Sequence, residues 1–184
     1  MADRHDRTSN PMLTGMFRDR DSAERAYGSL TGRGYTKDDI TLLMSDEARR
    51  RHFGEAREAD TALGTKAAEG AGIGAVAGGG LGAILAALAA AGTIALPGIG
   101  LVAMGPIAAA LTGGAVGAAG GGLLGALVGS GIPEDQAKRY DAGIREGNIV
   151  MGVSPRNEED AAYFEQEWRN YRGENIYRPT RRAA

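Results

Sequence analysis

The chain has 184 residues, and its 30 glycines but only 6 prolines exclude a proline-rich disordered protein. It carries 21 basic and 23 acidic residues, a net charge of −2, so we expect no nucleic-acid partner. The absence of cysteine excludes disulfides, thiolate metal sites and cysteine nucleophiles. Two histidines, His5 and His52, are too few for a histidine-rich metal centre.

The charges are distributed very unevenly along the chain. No Asp, Glu, Lys or Arg occurs in the 64 positions 70–133, so all 44 (21 + 23) charges lie in the other 120 residues. These positions contain 20 of the 30 glycines and 18 alanines. We therefore expect ordinary globular parts at 12–65 and 132–178, separated by a Gly/Ala-rich segment at 66–131.

The part before the Gly/Ala-rich segment predicts a strand, a helix, a second strand and a short helix. Asp21 is expected to cap the first helix, with Glu24 at the third helical position as in a capping box. Apolar residues at 3.6 spacing line one face of that helix. The predicted elements are a disordered N-terminus at 1–11, a strand at 12–17, a helix from 21 to about 32, a strand at 40–44, a helix at 46–51 and a charged connection at 55–65.

Two runs of glycine at four-residue spacing mark the Gly/Ala-rich segment. Positions four apart lie on one face of a helix, so each run predicts a helix with a groove that carries no side chains. The helix-packing glycines are Gly70, Gly74, Gly78 and Gly82 in the first run, and Gly113, Gly117, Gly121, Gly125 and Gly129 in the second. The predicted turn between the two helices contains Pro97, Gly98, Gly100, Gly105 and Pro106, with Pro106 in the first turn of the second helix.

Glycine makes these helices intrinsically weak. The second helix, at about 107–130, contains eight glycines, a deficit of about 8 kcal/mol relative to polyalanine. Close backbone packing is the available compensation, because Gly and Ala let helix axes approach and accumulate dispersion contacts. The pattern therefore predicts a glycine-zipper hairpin that self-associates into a homo-oligomer.

The length of the predicted hairpin favours insertion into a lipid bilayer. Each helix has about 25 residues, or about 37 Å, which is enough to span a membrane. Lys66, Lys138 and Arg139 flank the hairpin while its turn is uncharged, so the flanks are expected to stay in the cytoplasm. We therefore predict transmembrane helices in the inner membrane. The alternative is a cytoplasmic glycine-zipper bundle, which the lack of any Trp, Tyr or Phe in the segment favours.

The part after the Gly/Ala-rich segment returns to ordinary composition. Pro133, Glu134 and Asp135 form an acidic first turn, and Asn157 is expected to cap a later helix, with Asp160 three residues on. The predicted elements are a helix ending at Gly147, a strand at 149–153, a helix after 157, a strand at 175–177 and a basic tail at 179–184. Residues 12–54 and 133–178 are expected to fold together as one α+β domain, a β-α-β and α-β-α-β arrangement of ferredoxin-like type that the helical hairpin interrupts.

Several motifs suggest chemistry but are better explained by structure. Residues 72–77 fit the dinucleotide pattern G-x-G-x-x-A, yet no strand precedes them and the next acidic residue is Glu134. The basic run 49–52 is more typical of a solvated helix face than of a phosphate site. Paired carboxylates such as Asp38 and Asp39 are expected at helix starts or on polar helix faces. We expect no catalytic residue, cofactor or metal.

The order of several short motifs resembles a known family. Leu13-x-Gly15-x-Phe17, Ala23-Glu24-x-Ala26, Gly34-Tyr35 and Asp39-Ile40 are similar to the N-terminal pattern of bacterial general stress proteins of the heat-induced YflT type. Pro97-Gly98-Ile99-Gly100, Gly105-Pro106-Ile107 and Gly131-Ile132-Pro133-Glu134 resemble longer relatives that carry a glycine-zipper hairpin. The resemblance covers about 12–155 and implies a stress-induced, non-enzymatic protein.

The sequence thus favours a membrane-associated, non-enzymatic general stress protein that self-associates through glycine-zipper helices. Two alternatives remain open. One is a pore-like oligomer lined by glycine faces, for which Thr93, Thr112 and Ser130 are the hydroxyls available. The other is a regulatory, ligand-binding α+β domain that the hairpin anchors.

Overall fold

The protein is a mixed α+β structure in which helices cover both faces of one antiparallel sheet. The computed structural model describes residues 12–53, 84, 94–96, 100–113 and 122–179. The strands within these ranges are β1 Leu13–Phe17, β2 Ile40–Ser45, β3 Ile94–Leu96, β4 Leu101–Met104, β5 Ile149–Val153 and β6 Glu174–Tyr177. The helices are α1 Arg20–Gly32, α2 Asp46–Phe53, α3 Pro106–Gly113, α4 Gly122–Gly129, α5 Glu134–Arg145 and α6 Glu158–Asn170.

The six strands are ordered β3-β4-β2-β5-β1-β6, and every neighbouring pair is antiparallel. β5 lies at the centre, where Leu13 of β1 pairs with Val153 and Leu42 of β2 pairs with Met151. β1 and β2 are therefore parallel to each other and separated by β5. In the same way β5 and β6 are parallel and separated by β1.

The helix caps explain where the two longest helices begin. Asp19, and not the predicted Asp21, caps α1, because its carboxylate accepts the Ser22 N–H at 2.8 Å. Glu24 is consequently not part of a capping box, and its side chain is buried. The predicted cap of α6 is confirmed, since the Asn157 side chain accepts the Asp160 N–H at 2.7 Å.

Alternating side chains of the strands divide the core into two faces. The aromatic face is the one that α1, α2 and α6 cover, and its buried residues include Phe17, Tyr35, Phe164 and Trp168. The aliphatic face is the one that α3, α4 and α5 cover, and Tyr140 is the aromatic residue of its cluster. Period-two alternation along each strand sends side chains to both faces, as in β2, where Leu42 joins the aromatic face and Leu43 the aliphatic face.

The predicted turn of the helical hairpin instead contains two strands of the sheet. β3 and β4 pair antiparallel, with Ala95 opposite Val102, and β4 continues the sheet beside β2. Gly105 then connects β4 to α3 with a φ of 85°. A Cβ at that position would lie 2.1 Å from the Ile40 carbonyl oxygen, so the close approach of the two backbones requires glycine.

The predicted second helix at 107–130 is not one continuous helix. α3 ends at Gly113, and α4 begins at Gly122, whose φ of 47° does not belong to a right-handed helix. Apart from Ile84, the first predicted helix lies outside the described residues, as do the connection at 55–65 and most of the basic tail.

The prediction of transmembrane helices is corrected by these short elements. Within the described ranges, no helix has both the length and the apolar character that crossing a bilayer requires. α3 and α4 have 8 residues each, whereas a span needs about 20. Part of the apolar segment that suggested a membrane span instead forms the strands β3 and β4 and the helices α3 and α4, which pack on the sheet.

Candidate functional site

The outer side of α4 is an apolar surface without a charged residue. At about 100° per residue, Ala126, Leu123 and Leu127 share one side of the helix, and all three are buried. The opposite side, which we call the outward arc of α4, comprises Gly122, Gly125, Val128 and Gly129. Leu124, at the edge of this arc, is half-buried and packs against the aliphatic face. Surface helices normally present polar residues on this side, so the outward arc is the unusual feature of the described surface.

Exposure along the outward arc increases toward the C-terminal end of α4. Val128 is 41% exposed and is the exposed large hydrophobic residue of the described surface. Gly129 is exposed, and a Cβ built there would meet nothing within 4 Å. Gly125 is half-buried. Gly129, one of the glycines that the sequence predicts for helix packing, therefore lies on a side of the helix that is open to an additional partner.

The rotation of α4 about its axis is fixed by its C-terminal cap. Gly131 has a φ of 86°, and the Ile132 N–H donates to the Leu127 carbonyl at 3.2 Å, as in a Schellman motif. Ile132 is 2% exposed and anchors this turn in the aliphatic face. Because Leu127 and Ile132 both point into the core, Val128 and Gly129 are held on the outside.

A second feature attaches the Gly/Ala-rich segment to the aromatic face. The Ile84 N–H donates to the Glu24 carboxylate at 3.1 Å, and both residues are buried. Arg20 lies 3.6 Å from the other carboxylate oxygen and stacks on Phe53 at 5.2 Å. The buried carboxylate thus has a charged partner and a backbone donor, as burial of a charge requires.

Asp160 joins α6 to the loop that follows α1. Its carboxylate accepts the Tyr35 hydroxyl at 2.7 Å and lies 2.5 Å from the Arg33 guanidinium. The bond from Tyr35, followed by the Arg33 guanidinium, holds the pKa of Asp160 below its ordinary value against the opposing effect of burial. Burial raises the pKa of Tyr35 to about 12. Every charge in this cluster has a partner, so its chemistry is that of a structural ion pair.

The glycines and prolines predicted for helix packing or for the turn lie at several different places in the fold. Gly113 ends α3, Gly100 has a φ of 62° before β4, Gly105 precedes α3 and Pro106 is its first residue, as predicted. The remaining assigned positions, Gly70, Gly74, Gly78, Gly82, Pro97, Gly98, Gly117 and Gly121, lie outside the described residues. Among the residues that the structure describes, no group of three or more His, Asp and Glu is placed to hold a metal ion.

Sequence reasoning missed Val128 and Glu24. The sequence does not indicate which side of α4 is exposed, and only the structure shows that Val128 and Gly129 are exposed side by side. The signal for Glu24 was available, since it lies between Ala23 and Ala26 on the apolar side of α1. Comparisons with protein-family models, curated proteins and solved structures find no match to this chain. The resemblance to YflT-type stress proteins therefore stays a prediction from its motifs.

Proposed function

We propose that this is a non-enzymatic general stress protein that self-associates by packing the outward arc of α4 against the same arc of a second copy. The observation that carries the proposal is the open space at Gly129 beside the exposed Val128. Glycine costs helix stability, and at Gly129 no contact within the described chain compensates for it. The stress role depends on the family resemblance alone.

The second copy is the favoured partner because the outward arc is self-complementary. Gly125 and Gly129 are four residues apart, a spacing that lets two helix backbones approach closely. The arc has no charge that would select a partner of opposite charge, and none that would repel its own copy. A twofold arrangement places the same residues on both sides of the contact, which one uncharged arc satisfies.

We further infer that the domain core is ferredoxin-like. Its support is the order β2-β5-β1-β6, with α1 and α6 each connecting two parallel strands across an intervening antiparallel strand. On this assignment the β3–β4 hairpin is an addition beside β2. Within the described residues, no observation favours the pore-like or the ligand-binding alternative.

The test is the variant Gly129→Leu, with Gly28→Leu as the matched control. Gly28 is also helical, and a Cβ added there would also meet nothing within 4 Å, but it lies on the outer side of α1. Both variants should keep or slightly raise the stability of the monomer, because leucine has the higher helix propensity. Only Gly129→Leu should weaken self-association, by about tenfold or more, because the leucine side chain would hold the α4 helices of the two copies apart.

Sedimentation velocity across a range of protein concentrations measures that association. The proposal is contradicted if the unsubstituted chain is monomeric throughout, or if Gly129→Leu associates as strongly as Gly28→Leu. The stress role is tested separately by measuring the abundance of the protein in its native cell before and after heat, osmotic and oxidative shock. Unchanged abundance under all three would contradict it.

A further inference from the structure

Two methionines at β1 reach into the aliphatic face over glycines. Met12 lies just before β1 and Met16 within it, and both belong to the aliphatic cluster. A Cβ at Gly152 of β5 would lie 2.7 Å from the Met12 sulfur, and a Cβ at Gly143 of α5 would overlap the Met16 sulfur. Each glycine therefore leaves the space that a thioether fills.

The two sulfur atoms differ in how firmly they are enclosed. Met16 is 5% exposed, and its sulfur accepts the side-chain N–H of Asn148 at 3.6 Å. Met12 is 9% exposed, the highest value among the five methionines that the structure describes, and it precedes the first paired residue of β1. The end of a strand opens at a lower free-energy cost than its middle, so an oxidant reaches Met12 first.

A buried hydroxyl without a partner lies at the same end of this face. Gly152 pairs with Thr14 of β1 on one side and with Thr41 of β2 on the other, so the Met12 sulfur and Thr41 both adjoin Gly152. Thr41 is 1% exposed, and its hydroxyl has no hydrogen-bond partner among the described residues. Most buried hydroxyls are paired, so this donor marks a place that an added acceptor oxygen satisfies.

We propose that Met12 is a reversible oxidation site, at which a hydroperoxide converts the thioether to a sulfoxide whose oxygen accepts the Thr41 hydroxyl. The sulfur lone pair attacks the peroxide, so that one O–O bond breaks and one S–O bond forms. The sulfur loses two electrons, and the peroxide is reduced to water or to an alcohol. A thioether is a weak acceptor whereas a sulfoxide is polar, so the oxidised form bonds a donor that the reduced form leaves unpaired.

The reverse step needs an external reductant. A sulfoxide reductase returns the thioether, and the oxygen leaves as water while two thiols of the reductant become a disulfide. The chain itself has no cysteine, so these thiols belong to the reductase. The site involves β1, β2 and β5 rather than the outward arc of α4, so it does not depend on the proposed self-association.

The first test is the order in which the methionines react. The intact chain is treated with dilute hydrogen peroxide, and mass spectrometry of its peptides follows each sulfoxide over time. The Met12 sulfoxide should form about tenfold faster than the sulfoxides of the other four described methionines, because these are more deeply enclosed. These four are Met16, Met44, Met104 and Met151. An equal or faster rate at any of them would overturn the site.

The second test measures how oxidation couples to Thr41. In the reduced protein, Thr41→Val should leave urea unfolding unchanged or slightly raise stability, because the hydroxyl it removes is unpaired. Oxidation should change the unfolding equilibrium constant of the unsubstituted chain by less than about threefold, and should shift that of Thr41→Val toward unfolding by about tenfold. A polar oxygen at Met12 then has no donor.

Two variants control this comparison. Thr41→Ser keeps a hydroxyl at residue 41 and should respond to oxidation as the unsubstituted chain does. Met12→Leu has no thioether at residue 12, and the same peroxide treatment should leave its unfolding curve unchanged. Equal shifts on oxidation with and without the Thr41 hydroxyl, or an unchanged shift in Met12→Leu, would overturn the proposal whether or not the chain self-associates through α4.

Discussion

The cores on the two faces of the sheet are filled by different kinds of side chain. The aromatic face is filled by large rings, with Phe17 and Trp168 in an edge-to-face contact at 5.6 Å and Tyr35 and Phe164 at 5.0 Å. The aliphatic face is filled by many small and medium side chains such as Ala126 and Leu127. Large rings bury much area from few positions, whereas small residues need backbones that approach closely.

The outer side of α4 also differs from that of the helices on the aromatic face, whereas α5 carries i,i+4 ion pairs as they do. α1, α2 and α6 carry i,i+4 ion pairs on their exposed sides, such as Arg25–Asp21 and Arg169–Glu165. The outward arc of α4 carries none, because its composition is apolar on every side. A Gly/Ala-rich segment can thus complete a packed core and still leave an apolar exterior, which is available for partners.

The largest expected effect comes from removing the Gly/Ala-rich half of the fold. Joining residue 53 to residue 133 through a flexible Gly/Ser linker deletes β3, β4, α3 and α4. The aliphatic face would lose part of its cover and β2 would become an edge. We expect loss of cooperative thermal unfolding and aggregation, measured by calorimetry and light scattering. A soluble monomer with one sharp transition would instead show that residues 12–53 and 133–178 fold without this cover.

A smaller effect distinguishes the two cores directly. Trp168→Ala on the aromatic face should cost about 3–5 kcal/mol of unfolding free energy, because a fully buried ring leaves a large cavity. Leu123→Ala on the aliphatic face should cost about 2–3 kcal/mol, near the lower end of such changes, since α4 lies close to the surface. Urea unfolding measures both. Equal costs would contradict the difference between the faces.

Gly15 supplies the control for the Trp168 substitution. A Cβ at residue 15 would lie 2.9 Å from the Trp168 ring, so Gly15→Ala should destabilise the unsubstituted protein. In the Trp168→Ala background the same methyl group fills part of the cavity and should raise stability. A change of sign between the two backgrounds identifies direct packing of Gly15 against the ring.

The last expected effect is a loss of stability that is confined to alkaline pH and involves both faces. Burial raises the pKa of Tyr27 on the aromatic face and of Tyr140 on the aliphatic face to about 12. The unfolded chain ionises near pH 10, so this contribution is complete below pH 10 and is lost as the pH rises to about 12. Each tyrosine should account for about 2–3 kcal/mol.

Replacement of each tyrosine by phenylalanine checks this prediction. Tyr27→Phe and Tyr140→Phe should each reduce the slope of stability against pH between 10 and 12, measured by urea unfolding. Tyr140→Phe should also lower stability near neutral pH, because its hydroxyl donates to the Asn175 carbonyl at 2.7 Å and lies 2.8 Å from the Thr14 hydroxyl. Slopes identical to that of the unsubstituted chain would contradict the assignment.

Elements outside the Gly/Ala-rich segment were largely predictable, because their sequences combine periodic apolar residues with recognisable cap and turn residues. The strand at 149–153 has the predicted bounds, and α6 begins after the predicted cap at Asn157. The cap of α1 was misassigned by two residues, since Asp19 and Asp21 both precede the apolar positions and sequence does not show which carboxylate faces the free N–H groups. Cap residues specify a helix start only to within a residue or two.

The strands β3 and β4 could not be recognised for a physical reason. Side chains from both faces of β4 are buried, so Leu101 to Met104 form an unbroken apolar run without the alternation of a half-exposed strand. Such a run is equally compatible with a buried helix. The outward arc of α4 could not be recognised from the sequence either, because the sequence of an apolar helix does not indicate which of its sides faces the core.

The central position of β5 has a consequence for the protein during its synthesis. β1 pairs with residues of β5 that come about 140 positions later, as Leu13 does with Val153. β2 also needs β5 as its pairing partner. The middle of the sheet therefore cannot close until the ribosome has released residues 149–153. For most of translation β1, β2 and the long apolar stretch that follows β2 are present without β5, which makes late closure of the sheet the slow and aggregation-sensitive stage of folding.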